Sequence, residues 1–350
     1  MLSGKRVVVT GGTGSFGQVL VRRLLEGQVG LPEEIVVFSR SEATQHSMRL
    51  AFQHRRVATD DIVYEENRHH RLHFHIGDVS NYPAVSSVLR RADVVFHAAA
   101  LKQVPTAEYH PFEAVRTNIV GAENIVQAIR EHDYPIETVV GVSTDKACKP
   151  VNVMGMTKAI QERILAEAGV SCPDTRFLLA RYGNVLASRG SVIPVFNQQI
   201  RAGGPVTVTT PEMTRFLLSL EDAVDIVFAA LRDGASGETW VPHVPAARMV
   251  DVAGALIGDR DIEIEYTGIR PGEKIHEVLI SEEEASRTFA RNGYLTILPI
   301  LPELRPSDPP GDPFEKREYS SGDEVIDLAA ATALMKKHKL MPDDEPVYVT

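Results

Sequence analysis

Between Ser143 and Lys158 the sequence sets a hydroxyl, a carboxyl and an amine side by side, as Ser143-Thr144-Asp145-Lys146-Ala147. Asp145 and Lys146 are an acid–base pair in consecutive positions, and Thr144 adds a hydroxyl that can hydrogen-bond a reacting oxygen. A second group follows as Pro150-Val151-Asn152-Val153-Met154-Gly155-Met156-Thr157-Lys158. Met154 and Lys158 are four apart, so on a helix they share one face. The elements that must position these groups are legible around them. Thr138-Val139-Val140-Gly141-Val142 reads as a buried parallel strand. Thr144, Asp145 and Lys146 then fall at its carboxyl end, where open α/β sheets bind ligands. Pro150 and Asn152 start the helix that carries Met154 and Lys158.

In a short-chain dehydrogenase that helix carries Tyr-x-x-x-Lys, in which the lysine lowers the tyrosine pKa and the phenolate takes a proton from the substrate hydroxyl. Here the tyrosine position is Met154, and a thioether carries no proton. By that motif alone, the chain is either a dehydrogenase without its chemistry or an enzyme whose acid and base lie elsewhere. Asp145 and Lys146 are the candidates.

A cofactor is implied upstream. Arg6-Val7-Val8-Val9-Thr10 reads as a strand, Gly11-Gly12-Thr13-Gly14-Ser15-Phe16-Gly17 as a glycine turn, and Gln18 to Glu26 as a helix. Strand before and helix after give this turn the form of a dinucleotide site, with Gly11, Thr13, Gly14, Ser15, Phe16 and Gly17 around the pyrophosphate. The second strand, Glu34 to Phe38, ends in Ser39-Arg40 where an NAD enzyme usually has an acid. A serine and an arginine suit a 2′-phosphate and favour NADP; the bland alternative makes Arg40 a solvated loop charge. Asp78, followed by Val79, is placed to accept from an adenine amino group. Ala98, Ala99 and Ala100 are small enough for a cofactor to lie beside them. Lys102 follows, and Asn118 is either a backbone brace or an ordinary helix polar residue. Tyr182 and Asn184 stand at the carboxyl end of a further strand, Phe177 to Arg181.

The chain has 350 residues, of which 43% are hydrophobic and 24% charged, so it suits two lobes of an ordinary globular protein. The expected fold is a doubly wound parallel α/β sheet of Rossmann type over 1–186, with a smaller C-terminal α/β substrate lobe over 187–350. Part of about 213–245 is free to pack back on the first domain. The net charge of −10 excludes a basic nucleic-acid footprint. No apolar run approaches the ~18 residues needed to span a bilayer. Cys148 and Cys172 make no disulfide framework and point to a reducing cytoplasm. His69, His70, His73 and His75 cluster, but His73 and His75 alternate with Leu72, Phe74 and Ile76 at strand spacing and no ligand pattern is present, so no metal is expected. Asp323 is read as the cap of a last helix, Val325 to Lys337. In the second lobe Arg189, Arg215 and Arg270, the last with Glu273, are loop charges of an acidic protein: either surface charges or a site for an anion such as a diphosphate.

Taken together, Gly-Gly-Thr-Gly-Ser-Phe-Gly at 11–17, His-Ala-Ala-Ala-Leu-Lys at 97–102, Ser-Thr-Asp-Lys-Ala at 143–147, Arg-Tyr-Gly-Asn-Val at 181–185, Met-Thr-Arg-Phe at 213–216 and Gly-Ile-Arg-Pro-Gly-Glu-Lys at 268–274 occur in that order. This set resembles the UDP-N-acetylglucosamine 4,6-dehydratases of the extended short-chain dehydrogenase superfamily. The resemblance runs to about Glu303 and more weakly beyond it. It implies a cytoplasmic homo-oligomer with bound NADP and a UDP-sugar substrate. It also implies Lys146 as base for the C5 proton, Asp145 as acid for O6, and Thr144 bonding O4. Lys158 would hold the nicotinamide ribose. Lys102, Asn184, Arg189, Arg215, Arg270 and Glu273 would hold the substrate. Met154 replaces the family's usual Tyr, as in a subgroup that is active. A lysine base calls for a lowered pKa, which burial can supply. The alternative is a 4-epimerase of the same superfamily, and a non-catalytic NADP-binding regulator is a second.

Overall fold

The computed structural model describes residues 1–53, 71–186, 191–308, 310–315 and 317–344. Short runs of β-branched residues form the parallel strands β1 (Arg6–Thr10), β2 (Glu34–Ser39), β3 (Leu72–Ile76), β4 (Val94–His97), β5 (Thr138–Thr144) and β6 (Arg176–Tyr182). They lie in the order β3-β2-β1-β4-β5-β6, all parallel. That is the doubly wound order with its crevice at the carboxyl ends of the strands. The helices Ser15–Leu25 and Leu220–Asp233 cover one face, where Val7, Leu20, Val37, Val224 and Trp240 are buried. Helices Tyr82–Leu89, Gly121–Glu131 and Val153–Ser171 cover the other, over Val8, Val95, Ile125, Leu165 and Phe177.

The sheet continues past residue 186. After β7 (Val206–Val208) and β8 (Thr214–Phe216), β9 (Thr239–Pro242) joins β6 in parallel. β10 (Ala246–Arg248), β11 (Ile264–Tyr266) and β12 (Val278–Ile280) follow. β13 (Thr288–Arg291), β14 (Tyr294–Ile297) and β15 (Asp312–Pro313) then complete ten strands as an antiparallel extension, in the order β15-β13-β14-β9. The last strands are β16 (Tyr319–Ser320) and β17 (Val325–Ile326). The rest of the second lobe has its own core of Ile193, Phe196, Val206, Leu256 and Met335. Small sheets border it, β17-β10-β8, β11-β7 and β12-β16.

The last helix begins later than the sequence reading placed it. Val325 and Ile326 are drawn into a strand beside β10, and the helix is Leu328–Lys337, capped by Asp327 accepting from Ala330 N. Asp323 instead accepts from Ser320 N. Arg189, His69 and His70 lie outside the described residues. His73 and His75 are on β3. Among the described residues no cluster of three metal-ligating side chains occurs, and no helix is long and apolar enough to cross a membrane.

Candidate active site

β1 delivers Thr10 into the glycine turn. Gly11 has φ +69°, and a Cβ there would lie 2.7 Å from Ala99 N, so only glycine lets this turn close on the Ala98–Ala99 segment. Gly14 precedes the helix Ser15–Leu25 and makes no side-chain cap, the kind of helix start that can take an anion. A dinucleotide's pyrophosphate fits this cradle in both shape and charge. Thr13 O accepts from Gln18, and the Phe16 ring meets that of Tyr182, centroids 6.1 Å apart. At the end of β2, Ser39 Oγ accepts from Gln45. Arg40 is exposed, with its guanidinium 3.7 Å from Asp78, whose other oxygen accepts from Ser80. Val79 is buried and accepts from Asn124.

The loop after β4 is locked from the helical side. Asn118 is buried in a π-helical turn, Val115–Val120. It accepts from Leu101 N (2.8 Å) and donates to Leu101 O and Thr157 Oγ1. One amide thus ties the Ala98–Lys102 segment to the helix of Lys158.

That helix begins where the sequence reading places it. Asn152 caps it, accepting from Gly155 N and donating to Gly272 O of the second lobe. Gly155 permits a close approach, since a Cβ there would lie 2.2 Å from Lys146 O. The helix is therefore seated on the short 3₁₀ turn Asp145–Ala147. Met154 is buried in a small apolar cluster with Ala107, Ala114, Leu101 and Val104. Lys158 is buried and donates to Val142 O (2.6 Å) and Gln161 Oε1 (2.7 Å). Burial lowers its pKa to about 8, against the opposing pull of Glu162. His97, also buried, bonds Thr10 through Nδ1. Burial, and then the charge of Lys158, lower it to about 3, so the ring is neutral.

Thr144, Asp145, Lys146 and Asn184 meet at the ends of β5 and β6. Thr144 donates to Asp145 Oδ1 (2.8 Å), and Lys146 Nζ donates to Asp145 Oδ1 (3.0 Å) and Asn184 Oδ1 (3.3 Å). Asp145 is fully buried, and its Oδ2 has no hydrogen-bond partner. A residue that no sequence motif marks completes the cluster. Glu277, just before β12, is 2% exposed and lies 3.2 Å from Lys146 Nζ. The expected lowering of the Lys146 pKa is reversed. Burial does push it down, but the charges of Asp145 and Glu277 outweigh burial and hold it above its ordinary value. The buried lysine with a lowered pKa is Lys158.

Arg215 is buried on β8, donates to Thr214 O and Ile275 O, and lies 4.0 Å from Glu277. Arg270 is exposed on a turn, where its N–H approaches Glu273 (3.4 Å). Lys274 from the same turn reaches back to Cys148 O (2.6 Å). Lys102 is exposed beside the braced loop. The structure thus gathers Thr144, Asp145, Lys146, Asn184 and Arg215 around one cluster. It leaves Arg270 and Glu273 on a turn that touches the cap of the Lys158 helix.

A parallel sheet in the doubly wound order, with a glycine cradle at the end of its first strand and a lysine-bearing helix beside it, defines a protein of the Rossmann dinucleotide-binding class. Residues 7–299 match the polysaccharide biosynthesis protein family, and the chain belongs to it. A UDP-glucose 4-epimerase from Rickettsia conorii is 42% identical over 302 residues, 85% of this chain and 84% of that protein. The X-ray structure of Pen from Bacillus thuringiensis superposes with a TM-score of 0.85 and 32% identity, over 97% of this chain and 99% of the other. DesIV, a dTDP-glucose 4,6-dehydratase from Streptomyces venezuelae solved with NAD bound, shares the fold, with a TM-score of 0.64 at 20% identity over 77% of this chain and 86% of its own.

Proposed function

We propose that the chain is an NADP-dependent 4,6-dehydratase that converts UDP-N-acetylglucosamine to a UDP-4-keto-6-deoxy aminosugar. The observation that carries this reading is the pairing of Lys146 with the buried Asp145 at the carboxyl end of β5, with one carboxylate oxygen unsatisfied. A 4-ketone makes the C5 proton acidic, and loss of water across C5 and C6 then needs a base for C5 and an acid for O6. When bound in the glycine cradle, the nicotinamide supplies the hydride acceptor for C4 and the donor for C6.

The pair can serve both needs without net proton exchange. One proton moves from Lys146 Nζ to the Asp145 carboxylate, leaving an amine and a carboxylic acid. The amine takes the C5 proton as the acid protonates the departing O6. Water leaves, and the pair is again ammonium and carboxylate; as C6 becomes a methyl group the Lys146 ammonium, exchanged with solvent, returns a proton to C5, and a solvent proton matching the one released from O4 on oxidation restores the ammonium. Thr144 holds Asp145 in place and bonds O4. Lys158, with two of its three N–H groups on Val142 and Gln161, has one left to offer the ribose and O4. Met154 packs and moves no proton. Arg40 at the end of β2 selects the 2′-phosphate of NADP. Asn184, Arg215, Arg270, Glu273 and Lys102 hold the UDP-sugar. The working unit is a cytoplasmic homo-oligomer.

The name carried by the Rickettsia relative favours a second reading, a 4-epimerase. That reaction shares the C4 oxidation but asks for no base at C5 and no acid at O6, so it leaves Asp145–Lys146 without a task. Incubation with UDP-N-acetylglucosamine separates the two. The product is lighter by one water under the first reading and unchanged in mass under the second. Extraction of the purified protein yields NADP; release of NAD alone contradicts the assignment of Arg40.

A further inference from the structure

Lys146 is held from two directions. Asp145 belongs to its own turn, whereas Glu277 comes from the second lobe, between the Arg270–Lys274 turn and β12. Glu277 has no place in the proton bookkeeping above, yet it is 2% exposed and lies 3.2 Å from the ammonium. Its Oε2 accepts no hydrogen bond and lies 3.8 Å from Lys274 Nζ. Arg215 from β8 faces the same carboxylate at 4.0 Å. A buried carboxylate left half satisfied is costly unless something depends on it.

We propose that Glu277 is a positioning residue for the Asp145–Lys146 pair, fixing from the second lobe both the place of the ammonium and its charge before substrate arrives. The groups facing Lys146 are Asp145 from its own turn, Glu277, Arg215 across the cluster, and the uncharged amide of Asn184. Of the two carboxylates, only Glu277 lies outside the proton transfer. Its negative charge favours the ammonium–carboxylate form of the pair over the amine–acid form that reacts. Glu277 therefore sets how readily the pair enters its working state, and does so through Lys146 rather than by touching substrate. The electrostatic balance agrees, since burial lowers the Lys146 pKa and Asp145 and Glu277 together overcome it.

The kinetic consequence rests on the dehydratase reading; the titration consequence does not. The test uses the full chain as purified, with ¹³C-labelled lysine and the Lys146 signal assigned by its loss in Lys146→Met. In Glu277→Gln, which keeps the shape and loses the charge, the Lys146 titration midpoint falls by about one pH unit or more relative to wild type. Glu277→Asp, a shorter carboxylate, falls between the two. In turnover, the limb of the kcat profile that follows Lys146 moves to lower pH by the same amount in Glu277→Gln, while KM changes less than about threefold. An unchanged Lys146 titration in both variants overturns the proposal, as does a change confined to KM. The product mass decides the dehydratase reading separately, so the failure of one is not the failure of the other.

Discussion

Lys146 and Arg181 stand at the ends of adjacent strands, and each is a cation between two buried carboxylates. Around Arg181 every bond is made. Its guanidinium donates twice to Glu162 (2.9 and 2.7 Å), twice to Glu284 (both 2.8 Å) and once to Leu279 O. Glu162 also accepts from Ser143, and Glu284 from the N–H and hydroxyl of Ser281. Around Lys146 the same charge pattern is left open. Asp145 Oδ2 and Glu277 Oε2 have no hydrogen-bond partner, and the lysine side chain remains 21% exposed. A planar fork with five donors can saturate two carboxylates, whereas a point-charge ammonium with three cannot. The closed cluster is a strut between the Lys158 helix, β6 and the second lobe. The open one keeps acceptors for a substrate. Ser143 pairs with Arg181 in the sheet register, so one strand end feeds both.

The largest break in this contrast is Arg181→Met. It leaves Glu162 and Glu284 as uncompensated buried charges and should cost about 3–5 kcal/mol in denaturant unfolding. A loss below about 1 kcal/mol would make Arg181 no strut. Acid titration sharpens the point. Burial alone would raise Glu284, but the charge and hydrogen bonds of Arg181 hold it at about 2, below its ordinary 4.5. A carboxyl lowered on folding adds stability that is complete above the unfolded pKa. Wild-type stability should therefore fall as pH drops from 4.5 toward about 2, and Arg181→Met should lack that slope. A parallel slope in the variant would place the effect elsewhere.

Next in size is Lys158→Ala, which should lower turnover at least about a hundredfold. The protein should still unfold cooperatively. Near-normal turnover would remove Lys158 from the site.

How much of this was legible in advance follows the range of the interactions. The glycine turn, the helix start at Asn152 and the strand ends are local patterns, and the residues announce them; the order of the strands follows only from their pairing. Asn118 declared its type but not its partners, Leu101 and Thr157. Glu277 is silent in the sequence, because its meaning depends on a long-range contact with Lys146, and that contact is why Lys146 is held above rather than below its ordinary pKa. The antiparallel extension β14-β13-β15 was unreadable too. Its strands have two to four residues, too short for periodicity to show. The late start of the last helix came from Val325 and Ile326 pairing with β10, a tertiary override of a good local cap.

The smallest expected effect is at Met154. Met154 sits among Ala107, Ala114 and Leu101, so Met154→Leu should cost less than ~1.5 kcal/mol of stability. Turnover should stay within about tenfold, or ~1.4 kcal/mol of barrier. Damage equal to that of Lys158→Ala, with the fold intact, would give Met154 a direct part in the chemistry.

The central claim is that the open cluster moves the C5 proton. It is tested by turning over UDP-N-acetylglucosamine in deuterated water with wild type and Lys146→Met, and reading C5 of the product by proton NMR. Wild type should release a dehydrated sugar carrying solvent deuterium at C5, while the folded, cofactor-loaded variant should release none. Dehydration with C5 deuteration by Lys146→Met at the wild-type rate, or a wild-type product of unchanged mass with its C5 proton retained, would contradict the account.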